Sequence, residues 1–319
     1  MPRPLRVALL SAVATLLLSS CGSAANGSNH PVAASGTSRA QSIAVARKPP
    51  APFRWRTVAP HISVATTDHG YVSFMWMDPT KLKFRFIPGT MWPEKSPRTA
   101  ADRNPGSWIP TMMAAFNGAF KLQDGVGGYY YRGQEVAALR DGLASLVTYK
   151  DGSLRVGAWG RDLHMTPSVV AVRQNLKPII DGGVSQVSKA DTPKTWGITI
   201  HRTPYANRTL LGVLKDGSFI FEFAHRATPT MLANEAVHAG VQFAIALDMN
   251  GIWPTGYVYT HNTKHLYGVK INGIIERMPK LYMTTNNKDF IAVQSPTPIV
   301  PGNGMPVPTY PGAKVYTLR

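Results

Sequence analysis

Leu210-Leu211-Gly212-Val213-Leu214, Lys215-Asp216-Gly217 and Ser218-Phe219-Ile220-Phe221-Glu222 set two apolar runs on either side of a short turn. Asp and Gly tolerate positive φ, which a tight hairpin turn requires, so the stretch predicts two antiparallel strands. The same design stands upstream in Ser145-Leu146-Val147-Thr148-Tyr149, Lys150-Asp151-Gly152 and Ser153-Leu154-Arg155-Val156. Ile62-Ser63-Val64-Ala65 and Tyr71-Val72-Ser73-Phe74-Met75-Trp76 flank Asp68-His69-Gly70, a further hairpin signal. Lys81 to Phe86 alternates basic and apolar residues, the period of a half-exposed strand. The same period in Phe221-Glu222-Phe223 predicts that Glu222 faces solvent.

Downstream of the hairpin the periodicity changes. Thr228 suits an N-cap, Pro229 a first helical turn and Gly240 a stop, so 229–239 is expected to be a helix with Leu232, Ala236 and Ala239 on its core face. Phe243-Ala244-Ile245-Ala246-Leu247 then reads as a strand ending in Asp248. With 28 Gly and 26 Pro, a long helical bundle is disfavoured. The expected fold class is α+β: a strand-rich single domain of mixed or antiparallel sheet with a few short helices.

The chain's beginning reads as an address. Arg3 and Arg6 precede an apolar run from Val7 to Leu18, and Leu18-Ser19-Ser20-Cys21-Gly22 follows. This resembles a bacterial lipobox, which implies a signal peptide over 1–20 and lipidation of Cys21, hence an extracytoplasmic protein held on the cell membrane. Cys21 is the one cysteine of the 319 residues, which excludes an intramolecular disulfide and a thiolate metal cluster. Residues 21–52, rich in Ala, Ser, Gly and Asn, are expected to be a flexible tether. Prolines at 296, 298, 301, 306, 308 and 311 predict an extended tail over 296–319, which leaves 53–295 as the folded domain.

Several chemistries are excluded by inspection. No G-x-S-x-G elbow, S-x-x-K, phosphate-binding P-loop or H-E-x-x-H occurs. His261 and His265 have the spacing of a helical metal pair, but Asn262 and the Gly and Tyr nearby predict a loop, so no metal site is expected and no cofactor. Acidic residues are few, 12 Asp and 5 Glu, so each can be weighed. Asp151 and Asp216 belong to turns. Asp181 and Asp248 each close an apolar strand and precede small or amide residues, which puts a carboxylate at a cleft mouth beside a low-dielectric core. Either can equally cap its own turn. Asn117-Gly118 closes the apolar run Met112 to Phe116, and glycine there permits close backbone approach. Trp92, Trp108, Trp159 and Trp253 are candidates for stacking on sugar rings.

The order of these motifs is distinctive: Asn117-Gly118-Ala119-Phe120, then Asp181-Gly182-Gly183, then Arg208-Thr209-Leu210-Leu211-Gly212-Val213, then Ala233 to Gly240, then Leu247-Asp248. It resembles the phosphodiester glycosidase family over roughly 110–295. The animal member of that family is the uncovering enzyme, an N-acetylglucosamine-1-phosphodiester alpha-N-acetylglucosaminidase. The trailing Trp253-Pro254-Thr255-Gly256-Tyr257 resembles an actinobacterial lipoprotein branch. The family usually reads L-D-G-G-G-S where this chain has Leu247-Asp248-Met249-Asn250-Gly251-Ile252, which gives the loop a different backbone and a bulkier lip. A late Arg-Pro motif corresponds to Asn287-Lys288-Asp289-Phe290, where Lys keeps the charge without the bidentate fork of Arg. The resemblance implies hydrolysis of a sugar-1-phosphodiester at the glycosidic C–O bond. Asp248 and Arg208 would be catalytic, and Asn117, Gly118, Asp181, Asn250 and Lys288 would bind substrate.

Net charge agrees with such a partner. The formal count is +17, and removing Arg3 and Arg6 with the leader lowers it to +15. Outside the membrane that charge favours a phosphate-bearing glycan or glycolipid, while the scattered basic residues argue against nucleic acid. A non-catalytic lipoprotein that binds anionic cell-envelope polymer is the alternative.

Overall fold

The computed structural model describes residues 47–67, 69–192, 194–200, 202–261, 265–299 and 313–318. The chain divides into two compact units, Met1–Val45 and Ala46–Arg319, and every described residue belongs to the second. The leader, Cys21, the tether as far as residue 46 and residues 300–312 of the tail lie outside the described residues.

Three antiparallel sheets and a few short helices make up the described part. The predicted hairpin is the centre of the largest. Ala206–Leu214 pairs with Phe219–Ala227, and Val241–Met249 adds to the other side of Ala206–Leu214. Val72–Met77, Ile62–Thr66 and Arg56–Ala59 extend one edge, and Ile180–Asp181 and Val184–Ser185 the other. Gly217 has φ +80°, and Asp216 Oδ1 accepts from the Ser218 N–H at 2.9 Å and hydroxyl at 2.6 Å. The Asp151–Gly152 turn repeats this with Ser153, at 2.8 and 2.7 Å, between Ala144–Tyr149 and Leu154–Ala158 in the five-stranded sheet. A six-stranded sheet is centred on Met112–Asn117, which lies between Gly256–His261 and Phe290–Gln294.

Helix Pro229–His238 is capped as expected: the Thr228 hydroxyl accepts from the Met231 N–H at 3.2 Å. Leu232, Ala233, Ala236 and Ala239 are buried against Leu210, Ile220 and Ala244 on one face of the large sheet. The opposite face, with Phe221, Phe223, Ile245 and Leu247, meets the six-stranded sheet, and Phe116 stacks on Phe221 at 4.8 Å. Each buried side chain of this size contributes about 1.5–3 kcal/mol, so the central strands are held from both sides.

That double cover corrects the expectation for Glu222. It is fully buried, and neither carboxylate oxygen has a hydrogen-bond partner among the described residues. Alternation along one strand cannot reveal that the polar-looking face lies under a helix. The tail also differs. Val315–Leu318 is a strand paired with Leu266–Lys270, because beyond Pro311 the prolines end and β-branched and aromatic residues return.

Candidate functional site

A β-bulge aims Asp248. Leu210 faces Ala246 and Arg208 faces Met249, so Leu247 and Asp248 stand together opposite Thr209. Such an insertion bends the strand and redirects a side chain. The bulge is tied on three sides. The Thr209 hydroxyl donates to the Asp248 carbonyl at 2.8 Å, the Asp248 N–H donates to the Gly118 carbonyl at 2.9 Å, and Oδ1 accepts from the Met249 N–H at 2.9 Å. Oδ2 accepts from Lys288 Nζ. Both residues are buried, at 6% and 5% exposure.

Lys288 is delivered by the segment leading into Phe290–Gln294, and its neighbour Asp289 makes a second buried ion pair. Arg173 Nε donates to Asp289 Oδ2 at 3.0 Å, and Arg173 Nη2 donates to the Phe120 carbonyl. Burial pushes Lys288 down to about 8, against the opposing pull of Asp289. Burial likewise raises Asp289, more than Arg173 and Lys288 lower it. A Cβ on Gly118 would sit 2.6 Å from the Asp289 carboxyl carbon, so only glycine lets that strand end lie against the pair.

Asp248 and Lys288 open onto a cavity of about 510 Å³, with Phe120, Lys121, Asp124, Lys194 and Trp253 also on its walls. The rim joins cations to indole rings. Lys288 Nζ lies 4.7 Å and the Arg277 guanidinium 4.8 Å from the Trp253 ring centre. Trp92 meets Trp253 edge-on at 6.1 Å and carries Lys121 Nζ 4.1 Å from its own ring centre. Such a surface suits a ligand with a flat or sugar face and negative charge. Among the described residues, no group of three or more His, Cys, Asp and Glu is placed to hold a metal ion.

Of the residues expected at the site, Asp248, Lys288 and Asn250 line this cavity. Asn250 has φ +72°, and its side chain joins Ile200 N–H and Ile198 carbonyl, each at 3.2 Å, so it braces the loop above the cleft. The others are elsewhere. Asn117 spends its amide inside the protein: Oδ1 accepts from the Thr255 N–H at 3.0 Å, and Nδ2 donates to the Thr209 hydroxyl at 2.9 Å. It clamps three strand ends beneath Asp248 and offers no group to a ligand. Gly118 acts through its backbone and its lack of a side chain.

Asp181 is held by Arg161 at 2.7 and 3.0 Å and pairs in the sheet with Phe243. Phe243 is five residues along the strand from Asp248, roughly 17 Å, so Asp181 is no part of the cleft. Arg208 is buried, and it lines a different cavity on the other side of the segment around Gly197. Arg208 stands opposite Met249, whose sulfur its guanidinium meets, whereas the bulged Asp248 meets Lys288.

Trp108 and Trp159 are core residues, Trp253 lines the cleft, and Trp92 packs edge-on behind it. His261 ends a strand that pairs with Leu266, so the i, i+4 spacing belongs to a hairpin. Lys121, Arg277, Arg173 and Asp289 escaped sequence reasoning. Asp289 and Lys121 each had one usable signal, a place beside Lys288 and beside Phe120, whereas Arg173 and Arg277 lie outside every quoted motif.

No family model matches the chain, and no curated protein matches it in sequence. Among solved structures, it is similar to the catalytic domain of zebrafish N-acetylglucosamine-1-phosphodiester alpha-N-acetylglucosaminidase, auto-inhibited by its pro-peptide. That likeness is 17% identical, with a TM-score of 0.44, over 73% of this chain and 81% of that one. A hypothetical protein from Synechocystis is 11% identical, with a TM-score of 0.42, over 77% and 64%. A putative exported protein from Burkholderia pseudomallei is 11% identical, with a TM-score of 0.31, over 70% and 73%. Each is a distant likeness and assigns neither substrate nor residue to this chain.

Proposed function

We propose that the protein is a hydrolase of a sugar-1-phosphodiester in an anionic cell-envelope glycan or glycolipid, acting outside the membrane to which Cys21 anchors it. One observation carries this reading: a buried carboxylate, Asp248, is paired with a buried lysine, Lys288, at the floor of a cavity rimmed by Trp253 and further cations. The motif order and the lipobox-like start are consistent with it.

In the free protein each of the two charges neutralises the other. An incoming phosphodiester competes for Lys288, because a phosphate oxygen is as good an acceptor as the carboxylate. Asp248 is thereby released toward the sugar. As the C1–O bond breaks, positive charge grows on the ring and the carboxylate stabilises it. The phosphate leaves with the bonding pair, and Lys288 offsets its charge. Water adds to C1, and its proton passes to Asp248. Trp253 offers an apolar face to the ring.

The test is release of free sugar from a panel of sugar 1-(methyl phosphate) diesters. Asp248→Asn is expected to lower kcat/KM by about a thousandfold, as for loss of a charged catalytic group, with the circular dichroism spectrum unchanged. Full release by this variant overturns the assignment. A second reading, binding without turnover, is favoured by the Asp248–Lys288 ion pair, which leaves the carboxylate already engaged. Saturable binding of the same diesters with no sugar released by the wild-type protein identifies that case.

A further inference from the structure

A chamber of about 850 Å³ lies on the other side of the segment around Gly197, beside the start of helix Pro229–His238. Lys194, Gly197 and Ile198 line both this chamber and the Asp248 cleft. Arg208 is on its wall, at 5% exposure. Nε donates to the Ala227 carbonyl and Nη1 to the Trp196 carbonyl, both at 2.9 Å, and Nη1 also meets Met249 Sδ at 3.3 Å. Nη2 has no partner among the described residues, and no carboxylate pairs with the guanidinium. Burial lowers Arg208 to about 10, which still leaves it charged at neutral pH.

A buried cation without a counter-ion is costly, so its surroundings matter. Asp191, the one acid on the chamber wall, is already engaged. Its Oδ1 accepts from Lys177 at 3.2 Å, and its Oδ2 accepts from Trp196 Nε1 at 2.7 Å and the Ser188 N–H at 2.8 Å. The remaining charges on the wall, Lys194 and Arg202, are positive. Pro229 and Thr230 add the first turn of a ten-residue helix, whose end carries a partial positive charge. Trp196, Ile198 and Pro204 supply apolar wall around this cationic floor.

We propose that this chamber is a second ligand site, separate from the Asp248 cleft, which takes an organic anion: a phosphate or carboxylate head at Arg208 and the helix N-terminus, with an apolar body along Trp196 and Ile198. The charge balance selects the head, and the volume exceeds what an inorganic ion fills. Nothing in this site depends on the reaction at Asp248.

Isothermal titration of the full chain tests it with octyl phosphate, octanoate, octyl glucoside and inorganic phosphate. Octyl phosphate or octanoate, whichever head the site prefers, is expected to bind at least tenfold tighter than octyl glucoside and inorganic phosphate. Arg208→Gln is expected to abolish that preference. Because Arg208 also ties two backbone carbonyls, Thr230→Trp, which fills the chamber from an exposed position, provides an independent check and is expected to weaken binding at least tenfold. Equal binding of the neutral glucoside overturns the anionic head, and equal binding of inorganic phosphate overturns the apolar body. Binding that survives Thr230→Trp but is lost in Lys288→Met places the anion in the Asp248 cleft and overturns the separate site. Absence of binding by both octyl anions overturns it outright. Sugar release by Thr230→Trp stays at the wild-type rate, which separates failure here from failure of the hydrolase reading.

Discussion

Lys288 is the residue on which protonation and function meet. Its pKa is lowered to about 8 by burial, from an ordinary 10.5, so it loses its proton as pH rises through about 8. Sugar release is expected to fall along that limb as the leaving phosphate loses its cation, and Lys288→Arg should carry the limb to higher pH because Arg stays charged. Stability runs the other way. Between about pH 8 and 10.5 the unfolded chain binds the proton that the folded protein has lost, so folding gains as pH rises across that window. A rate profile and a denaturation series over pH 7–10 check both signs. A rate flat through pH 9.5 would remove Lys288 from the reaction. Asp248 was legible in the sequence as a carboxylate closing an apolar strand and Lys288 through its resemblance motif, but their pairing was not, since 40 residues separate them. Asn117 and Asp181 carried comparable motifs and turned out to be a strand clamp and half of a half-exposed ion pair.

At the scale of elements, the central strands gain their stability from cover on both faces, and Glu222 is the exception inside them. Burial, aided by the nearby Glu235, raises its pKa well above the usual carboxylate range. A folded pKa above the unfolded one means that the associated stability is full below the unfolded pKa and is lost as pH rises through the folded value. The wild-type protein is therefore expected to lose stability between pH 5 and 8, while Glu222→Gln loses less and exceeds it at pH 8 by roughly 1–3 kcal/mol, because its amide never has to ionise in the apolar site. Urea unfolding at the two pH values measures this, and a wild-type midpoint independent of pH refutes it. The hairpins and the helix were readable because Asp-Gly turns, the Thr228 cap and the Gly240 stop are local chemistry. The bulge at Leu247–Asp248 was not, because it exists only as a mismatch in count between two paired strands.

For the whole molecule, the anchor and the charge make one prediction. If Cys21 carries acyl chains, Cys21→Ser moves the protein from the membrane fraction to the soluble fraction while a soluble phosphodiester is still cleaved at the wild-type rate, because multiple buried chains supply the anchoring. Retention of the variant on washed membranes would mean that another part of the chain holds it there. Among the described residues no helix is long and apolar enough to cross a membrane. The sequence by itself determined what depends on neighbours along the chain: strands, their tight turns, the capped helix that follows Thr228, and Asp248 as a carboxylate at a strand end. Only the tertiary structure decided what those residues face. Asp248 meets Lys288 and Arg208 faces another cavity because a bulge and sheet pairing, which join residues far apart in sequence, set the direction of each side chain. The physical reason is that side-chain direction in a sheet follows register, and register is fixed by packing of the whole rather than by any segment alone.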